Sequence, residues 1–297
     1  MTPPSRAFAP LDFLQLISIA FIWGVNNILA KIAIDTLTPM LTLVFRFVLV
    51  IPLLIFVMKP PPRERWKPFA LMLLFVGPLH FGIQYVGLAL ADDIAPMVVA
   101  MQLWAPASVI FAALVLKEHV SRLRWAGVAV AFLGVAAMSF DPTVFAQGWP
   151  LVMVVIAAAC YGLGTVLVRR IGGGVDAWSM QAWIAIATAP TMVLGTAVFE
   201  RNQLEAIANA PWITWFAIVF GAIVSSIVAN AFMFSLVQKY EVSRTTPYLL
   251  MTPLISFALA ALVLGDTITP QILLGAAATM GGVALVALAE RRFKAVA

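Results

Sequence analysis

The sequence predicts an all-α polytopic membrane protein: ten transmembrane helices arranged as a 5+5 inverted-topology repeat, with both termini cytoplasmic. Three observations predict it. Hydrophobic residues make up 63% of the 297 and charged residues only 10%, whereas soluble chains hold about half apolar and about a quarter charged. The apolar residues fall in blocks of roughly twenty, the number a helix rising about 1.5 Å per residue needs to cross about 30 Å of hydrocarbon. Basic residues gather in every second joint between blocks. Strand-period alternation is absent, which excludes a transmembrane barrel.

In chain order the blocks run over 13–33, 40–58, 68–90, 95–116, 123–139, 149–168, 177–199, 211–237, 242–264 and 270–289. The first is long, lacks a small-x-small cleavage pattern and is followed by nine more, so it is expected to be a retained helix. The sixth holds Cys160, the single cysteine, which has no internal disulfide partner and reads as a small buried apolar side chain. A net charge of +5 raises the question of nucleic acid, and its distribution answers against it. All of the 18 Lys and Arg except Lys31, Arg46 and Arg201 lie at 6, 59–67, 117–124, 169–170, 239–244 and 291–294. Those are the inner segments if the N-terminus is cytoplasmic, while the outer joints carry Asp35, Asp92, Asp93, Asp141, Glu200, Glu205 and Asp266. Ten helices with both ends inside satisfy the positive-inside rule, and shifting the count by one helix destroys the asymmetry.

The two halves match each other. FIWGVNNILAKIA (21–33) aligns with ACYGLGTVLVRRI (159–171), pairing Trp23 with Tyr161, Gly24 with Gly162, Leu29 with Leu167 and Lys31 with Arg169. FAALVLKEHVSRLRWAGVAVAFLGVA (111–136) aligns with LAALVLGDTITPQILLGAAATMGGVA (259–284), pairing Glu118 with Asp266, Gly127 with Gly275 and Gly134 with Gly282. Pro96 and Pro106 in the fourth block correspond to Pro247 and Pro253 in the ninth. Two repeats are therefore expected, 1–142 and 143–297. Because five helices is an odd number, the second enters the bilayer with the opposite orientation, the architecture of secondary transporters that alternate access around a midplane site.

With these residues in view, the chain resembles the EamA-type exporters of the drug/metabolite transporter superfamily. The resemblance rests on the Trp23-Gly24 pair in the first helix, Phe45-Arg46-Phe47 in the second, and an LxLxE/D turn (Leu114, Leu116, Glu118; Leu262, Leu264, Asp266) before a Gly-rich fifth helix in each half. It covers nearly the whole chain, and the order of the motifs is more specific than any one of them. It implies export of amino acids, with aromatic ones the suggested branch, or of other small metabolites. It also implies a bacterial inner (plasma) membrane location and a cavity lined by helices one, three, four, six, eight and nine. The chain has no embedded Glu in the first helix, unlike small multidrug transporters. Nor does it have the paired mid-helix Lys and Arg of nucleotide-sugar or sugar-phosphate carriers.

Polar side chains inside apolar blocks must be satisfied by partners or by water, so they are expected to face the interior or a cavity. Asn26 and Asn27 stand about 100° apart on a helix. Asn27 is expected to face the pathway with Trp23, and Tyr161 with Thr165 on the equivalent face of the sixth helix; locking helices together is the alternative for both Asn. His80 and Gln84 share a stripe of the third helix, and His80 is the one titratable side chain expected near mid-depth, either a proton-coupling group or a neutral ring held by its neighbours. Met97, Met101, Trp104 and Ser108 in the fourth helix, with Thr245, Tyr248 and Thr252 in the ninth, suit an adaptable wall for an apolar or aromatic substrate, or a packed core. Asn230 is expected opposite the third helix. Prolines in the fourth and ninth helices either offer freed carbonyls or only bend the bundle. Lys31 and Arg46 are expected to snorkel to the outer headgroups, with an outer gate as the alternative.

The candidate substrate site is thus Trp23, Asn27, His80, Gln84, Met101, Trp104, Tyr161, Asn230 and Tyr248. No metal-ligand spacing, cofactor motif, Ser/His/Asp set or embedded carboxylate pair points to an enzyme. The expected partners are a small-molecule substrate and membrane lipid, with no nucleic acid. Gly127 with Gly134, and Gly275 with Gly282, are expected to serve scaffold or homodimer contacts. The alternatives to an alternating-access carrier are a channel or facilitator and a membrane receptor.

Overall fold

The computed structural model describes residues 9–61, 63–117, 120–146, 148–171, 175–230, 232–233, 236, 249 and 251–296. Among them helices overlap every expected apolar block, and no strand is present. Helix α1 (Pro10–Leu37) leads through the single residue Thr38 into α2 (Pro39–Leu54). Each opens on a proline, whose missing N–H costs nothing in a first turn. The third block splits into α3 (Trp66–Leu74), a π-helical turn (Phe75–Leu79) and α4 (His80–Leu90). Pro78 lies in that turn, where it has no N–H to give to the Leu74 carbonyl.

The fourth block breaks in two, α5 (Ala95–Met101) and α6 (Trp104–Val115). The break falls where Pro106 cannot bond the Gln102 carbonyl, which accepts from the Ala105 N–H at 3.3 Å instead. Then follow α7 (Arg122–Ser139), α8 (Pro142–Phe145), α9 (Gly148–Ile171), α10 (Ala177–Phe199), α11 (Gln203–Asn209) and α12 (Trp212–Val219). A π-helical segment, Phe220–Ala229, extends α12. Helix α13 (Met251–Leu259) runs through a π turn to Leu264, stops at Gly265 in the left-handed region (φ 77), and α14 (Pro270–Val296) completes the chain.

Seven helices among the described residues are long and apolar enough to cross a membrane: Pro10–Leu37, Pro39–Val57, Arg63–Leu90, Ala95–Val115, Gly148–Ile171, Ala177–Phe199 and Trp212–Ala229. Met251–Leu264 and Pro270–Val286 are shorter apolar helices. Large apolar side chains such as Phe56, Leu114, Leu133, Leu194 and Leu262 are exposed on the outside of the bundle, where lipid is their natural solvent.

The helices meet through glycines. A Cβ on Gly24 of α1 would stand 2.7 Å from Ile255 Cγ2 and 3.3 Å from the Thr252 carbonyl of α13. A Cβ on Gly162 of α9 would stand 2.8 Å from the Trp104 carbonyl and 3.0 Å from Ala107 Cβ of α6. Gly162 is the residue aligned with Gly24, and Trp104 and Ala107 fall in the register of Thr252 and Ile255. The same contact is made twice with the halves exchanged. In α7 and α14, Gly127 faces Gly282 and Val286 while Gly134 faces Gly275 and Thr279, so these helices run antiparallel with backbones touching. The four glycines are consumed within one chain, in the scaffold role rather than the homodimer role.

Polar fastenings close both ends. At one end the Glu200 carboxylate accepts from Thr38 Oγ1 (2.6 Å) and from the N–H groups of Met40 (2.7 Å) and Leu41 (3.1 Å). It caps α2 from the far end of α10 and holds Thr38 at φ 117. At the same end, buried Asp266 accepts from the N–H groups of Ile94 (2.7 Å) and Ala95 (2.9 Å). Thr267 Oγ1 donates to Asp93 (2.8 Å), and Thr269 Oγ1 donates to Asp141. At the other end Lys59 N–H donates to Ser179 Oγ (3.0 Å), Trp183 Nε1 to the Lys59 carbonyl (3.0 Å) and Arg65 to the Ile171 carbonyl. Ser121, which caps α7, is separated from Asp141 by the 18 residues of that helix, roughly 27 Å. Ser121 and segment 265–269 therefore lie at opposite ends of the bundle.

Two outcomes are expected from this packing. Gly134→Val forces a branched side chain into the Thr279 and Gly275 backbone, costing about 1–3 kcal/mol or more by overpacking; thermal unfolding in detergent reads the loss, and an unchanged midpoint would contradict the contact. For Asp266, burial first and the neighbouring Asp93 carboxylate raise the pKa above its ordinary 3.8, against the lowering pull of the Ala95 and Ile94 N–H groups. A folded-state pKa above the unfolded value means its contribution is fully present below 3.8 and declines as pH rises through the raised value. The stability of the native chain relative to Asp266→Asn is therefore expected to fall over that rise, and a pH-independent difference would refute the assignment.

Candidate functional site

Three of the expected site residues come together at mid-depth. The His80 ring (α4) stands 4.7 Å from the Tyr161 ring (α9), and Tyr161 stands 5.5 Å from Trp104 (α6), edge to face. His80 Nδ1 lies 3.1 Å from the Ala157 carbonyl. A carbonyl only accepts, so Nδ1 carries the proton and the ring is oriented by α9. This is the neighbour-held arrangement, at 5% exposure. Gln84 is half-buried one turn along α4, and Met101 is half-buried and packed on the main core beside Trp104. Trp23 is half-buried in a separate small cluster with Leu16, Ile19 and Phe232.

Asn27 donates to Ser256 Oγ at 3.0 Å, and Ser256 in turn donates to the Gly24 carbonyl at 3.2 Å. Its carboxamide therefore ties α1 to α13, the helix-locking role expected as the alternative. Asn230 donates to Gln181 Oε1 on α10 (3.3 Å) and to the Ser226 carbonyl (2.9 Å), so its side chain bonds the seventh block rather than the third. Tyr248 lies outside the described residues, as do Thr245 and Glu118.

Arg46 departs furthest from expectation. It does not snorkel: at 6% exposure it turns into the bundle from the eighth position of α2. Its Nε and Nη2 donate to Ser226 Oγ (3.1 and 3.0 Å), Nη2 also reaches Ser225 Oγ (3.5 Å), and Nη1 donates to the Tyr85 hydroxyl. Its Cζ sits 5.5 Å from the centroid of the Phe81 ring. Phe81 in turn stands 4.7 Å from the His80 ring, so an unbroken file of ring contacts joins Arg46 to Trp104. The two serines are adjacent in the π-helical segment Phe220–Ala229, whose wider turn lets neighbouring side chains address one partner. Depth was the available signal. Arg46 lies seven residues, roughly 10 Å, below Pro39, beyond comfortable reach of the surface. A buried cation within a span costs at least about 2.5–3.5 kcal/mol on insertion scales.

Lys31 is also buried. Instead of snorkelling it donates to the Ala91 carbonyl (3.0 Å) and pairs with Asp35 (2.8 Å). Among the described residues no group of three or more His, Cys, Asp or Glu is arranged to hold a metal.

The EamA-like transporter family model matches residues 12–140 and, separately, residues 148–288. The chain belongs to the EamA-like transporter family. Its similarity to other members is distant but covers nearly the whole of each chain. It is 24% identical to a probable amino-acid metabolite efflux pump of Salmonella typhimurium over 91% of this chain and 92% of that one. It is 22% identical to the protein of the same description in Escherichia coli K12, over 96% and 97%. An uncharacterized inner membrane transporter of Escherichia coli K12 is 24% identical over 98% of this chain and 94% of that one. A solved crystal structure shares the fold, with TM-score 0.61 and 18% identity over 97% of this chain and 100% of that one. This EamA-like chain is a multi-pass transporter of the bacterial inner membrane.

A double-mutant cycle of Asn27→Ala and Ser256→Ala is expected to show about 0.6 kcal/mol of coupling, the average for such bonds within membranes, with flux retained in each variant. Loss of flux without loss of stability would return Asn27 to the pathway.

Proposed function

We propose that the protein exports small organic metabolites, with amino acids the favoured class and aromatic ones among them, by alternating access around a cavity between its two halves. The halves are 1–142 and 143–297, five helices each in opposite orientation, with both termini cytoplasmic. The observation that carries this reading is the recurrence of one helix contact, Gly24 on Thr252 and Ile255 and Gly162 on Trp104 and Ala107, with the halves exchanged. Two equivalent seams of that kind are what a rocking pair of repeats needs, because each half then meets the other through the same surface. The separate family matches to the two halves and the placement of Ser121 and segment 265–269 at opposite ends of the bundle support it. Relatives described as amino-acid metabolite efflux pumps support the substrate class.

The file of His80, Tyr161, Trp104 and Phe81 supplies the wide, polarisable wall that an aromatic or aliphatic side chain would pack against. Saturable counterflow of labelled amino acids in proteoliposomes is the expected result; conductance that does not saturate would favour a pore, and no flux at all a receptor. Trp104→Ala is expected to lower transport by tenfold or so, the effect of about 1.4 kcal/mol, while insertion and folding persist. Unchanged flux in that variant would remove Trp104 from the pathway.

A further inference from the structure

We propose that Arg46, Tyr85, Ser225, Ser226 and Asn26 form the site that takes the carboxylate of the transported molecule, an inference that rests on the exporter reading and names the group the site selects. The first reason is charge. Lys31 pairs with Asp35 and Lys59 with Asp176, whereas every partner of Arg46 is neutral: three hydroxyls and one aromatic face. A guanidinium is always charged, and inside a span a lone charge marks a binding or transport path. Neutral hydroxyls solvate it without cancelling it.

The second reason is the inventory of donors. Arg46 has five N–H groups, and one on Nη1 has no acceptor among the described residues once its contacts to Tyr85, Ser225 and Ser226 are made. Each of the three hydroxyls accepts from Arg46 and keeps an O–H of its own, and none of these O–H groups donates to an acceptor among the described residues. Several free donors around a single positive charge define an anion site. A monoanion such as a carboxylate brings it to neutrality, whereas a phosphate dianion would leave a net negative charge in the bilayer.

The third reason is a second pole. A Cβ on Gly221 would stand 3.3 Å from Asn26 Oδ1 and 3.7 Å from Arg46 Cζ, so the two side chains flank the same glycine, and a larger residue there would press on both. Asn26 is half-buried, and its carboxamide makes no hydrogen bond among the described residues. Its Oδ1 is placed to accept from the ammonium of a zwitterion whose carboxylate lies on Arg46. The aromatic file that begins at Phe81 then receives the side chain.

Thermal unfolding of the purified full chain in nanodiscs, titrated with the common L-amino acids and their matched carboxamides, tests this. At least one acid is expected to stabilise saturably, with its amide about tenfold to a hundredfold weaker, the ordinary worth of a charge-assisted hydrogen-bonded contact. Arg46→Gln is expected to erase the difference between acid and amide. Tyr85→Phe is expected to weaken the acid several-fold and leave the amide alone, which keeps the test available if the Gln variant does not fold. An amide as tight as its acid, discrimination surviving Arg46→Gln, an equal shift from chloride alone, or no response to any acid would each overturn the proposal. If proteoliposomes meanwhile carry an uncharged or cationic metabolite saturably, the anion site falls and the exporter reading stands. If no solute moves saturably, the exporter reading falls, and acid binding that needs Arg46 survives as that of a receptor.

Discussion

The close approach of helix backbones at glycine is the constraint on which the rest of this structure depends. Within lipid, apolar side chains gain nothing by leaving one apolar surrounding for another, so helices associate by tight packing and by hydrogen bonds between them. Gly24 and Gly162 let α1 and α9 lie directly on α13 and α6, and Gly127, Gly134, Gly275 and Gly282 do the same for α7 and α14. Each seam fixes which side chains of the neighbouring helices face inward. Asn27 reaches Ser256 because Gly24, one turn away, has brought the α13 backbone close. Tyr161 meets Trp104 because Gly162 has done the same for α6.

On that framework the polar groups divide into two kinds. Those at the ends fasten one helix to another: Glu200 and Asp266 each spend a carboxylate on backbone N–H groups at the start of a distant helix, where the helix dipole and the unpaired donors both favour negative charge. Deeper in, Arg46 is a buried charge with only neutral partners among the described residues, whereas the buried Lys31 is paired with Asp35. Two of the three π-helical segments among the described residues sit where this interior chemistry is, at Phe75–Leu79 just before His80 and at Phe220–Ala229 carrying Ser225 and Ser226. Departures from regular α-helix at such places re-aim side chains that a regular turn would send elsewhere.

Sequence alone misplaces Arg46, and the same reason hides the Gln181 partner of Asn230. Position along an apolar block gives depth, but not the direction a side chain takes. Arg46 was placed by its distance from the outer end and by the ordinary behaviour of long cations, whereas the acceptors that draw it inward, Ser225, Ser226 and Tyr85, lie 39 to 180 residues away in sequence. The same holds for Asn230, whose Gln181 partner lies on a helix that strict helical stripes could not bring alongside. For Asn26 and Asn27 the geometry of a helix showed that they face different neighbours, and only the packing decided that Asn27 holds Ser256.

By itself the sequence determined the solvent, the helices and the pairing of its halves. Those follow from local quantities: hydropathy over twenty residues, proline positions and the recurrence of Gly24 as Gly162, all set by the cost of exposing backbone to hydrocarbon. Tertiary structure alone decided which polar side chains meet. An uncompensated cation becomes visible as a candidate site only when the neutral hydroxyls around it have been brought from two other helices, because burial and the absence of a counter-charge are properties of the packed interior and of no single segment.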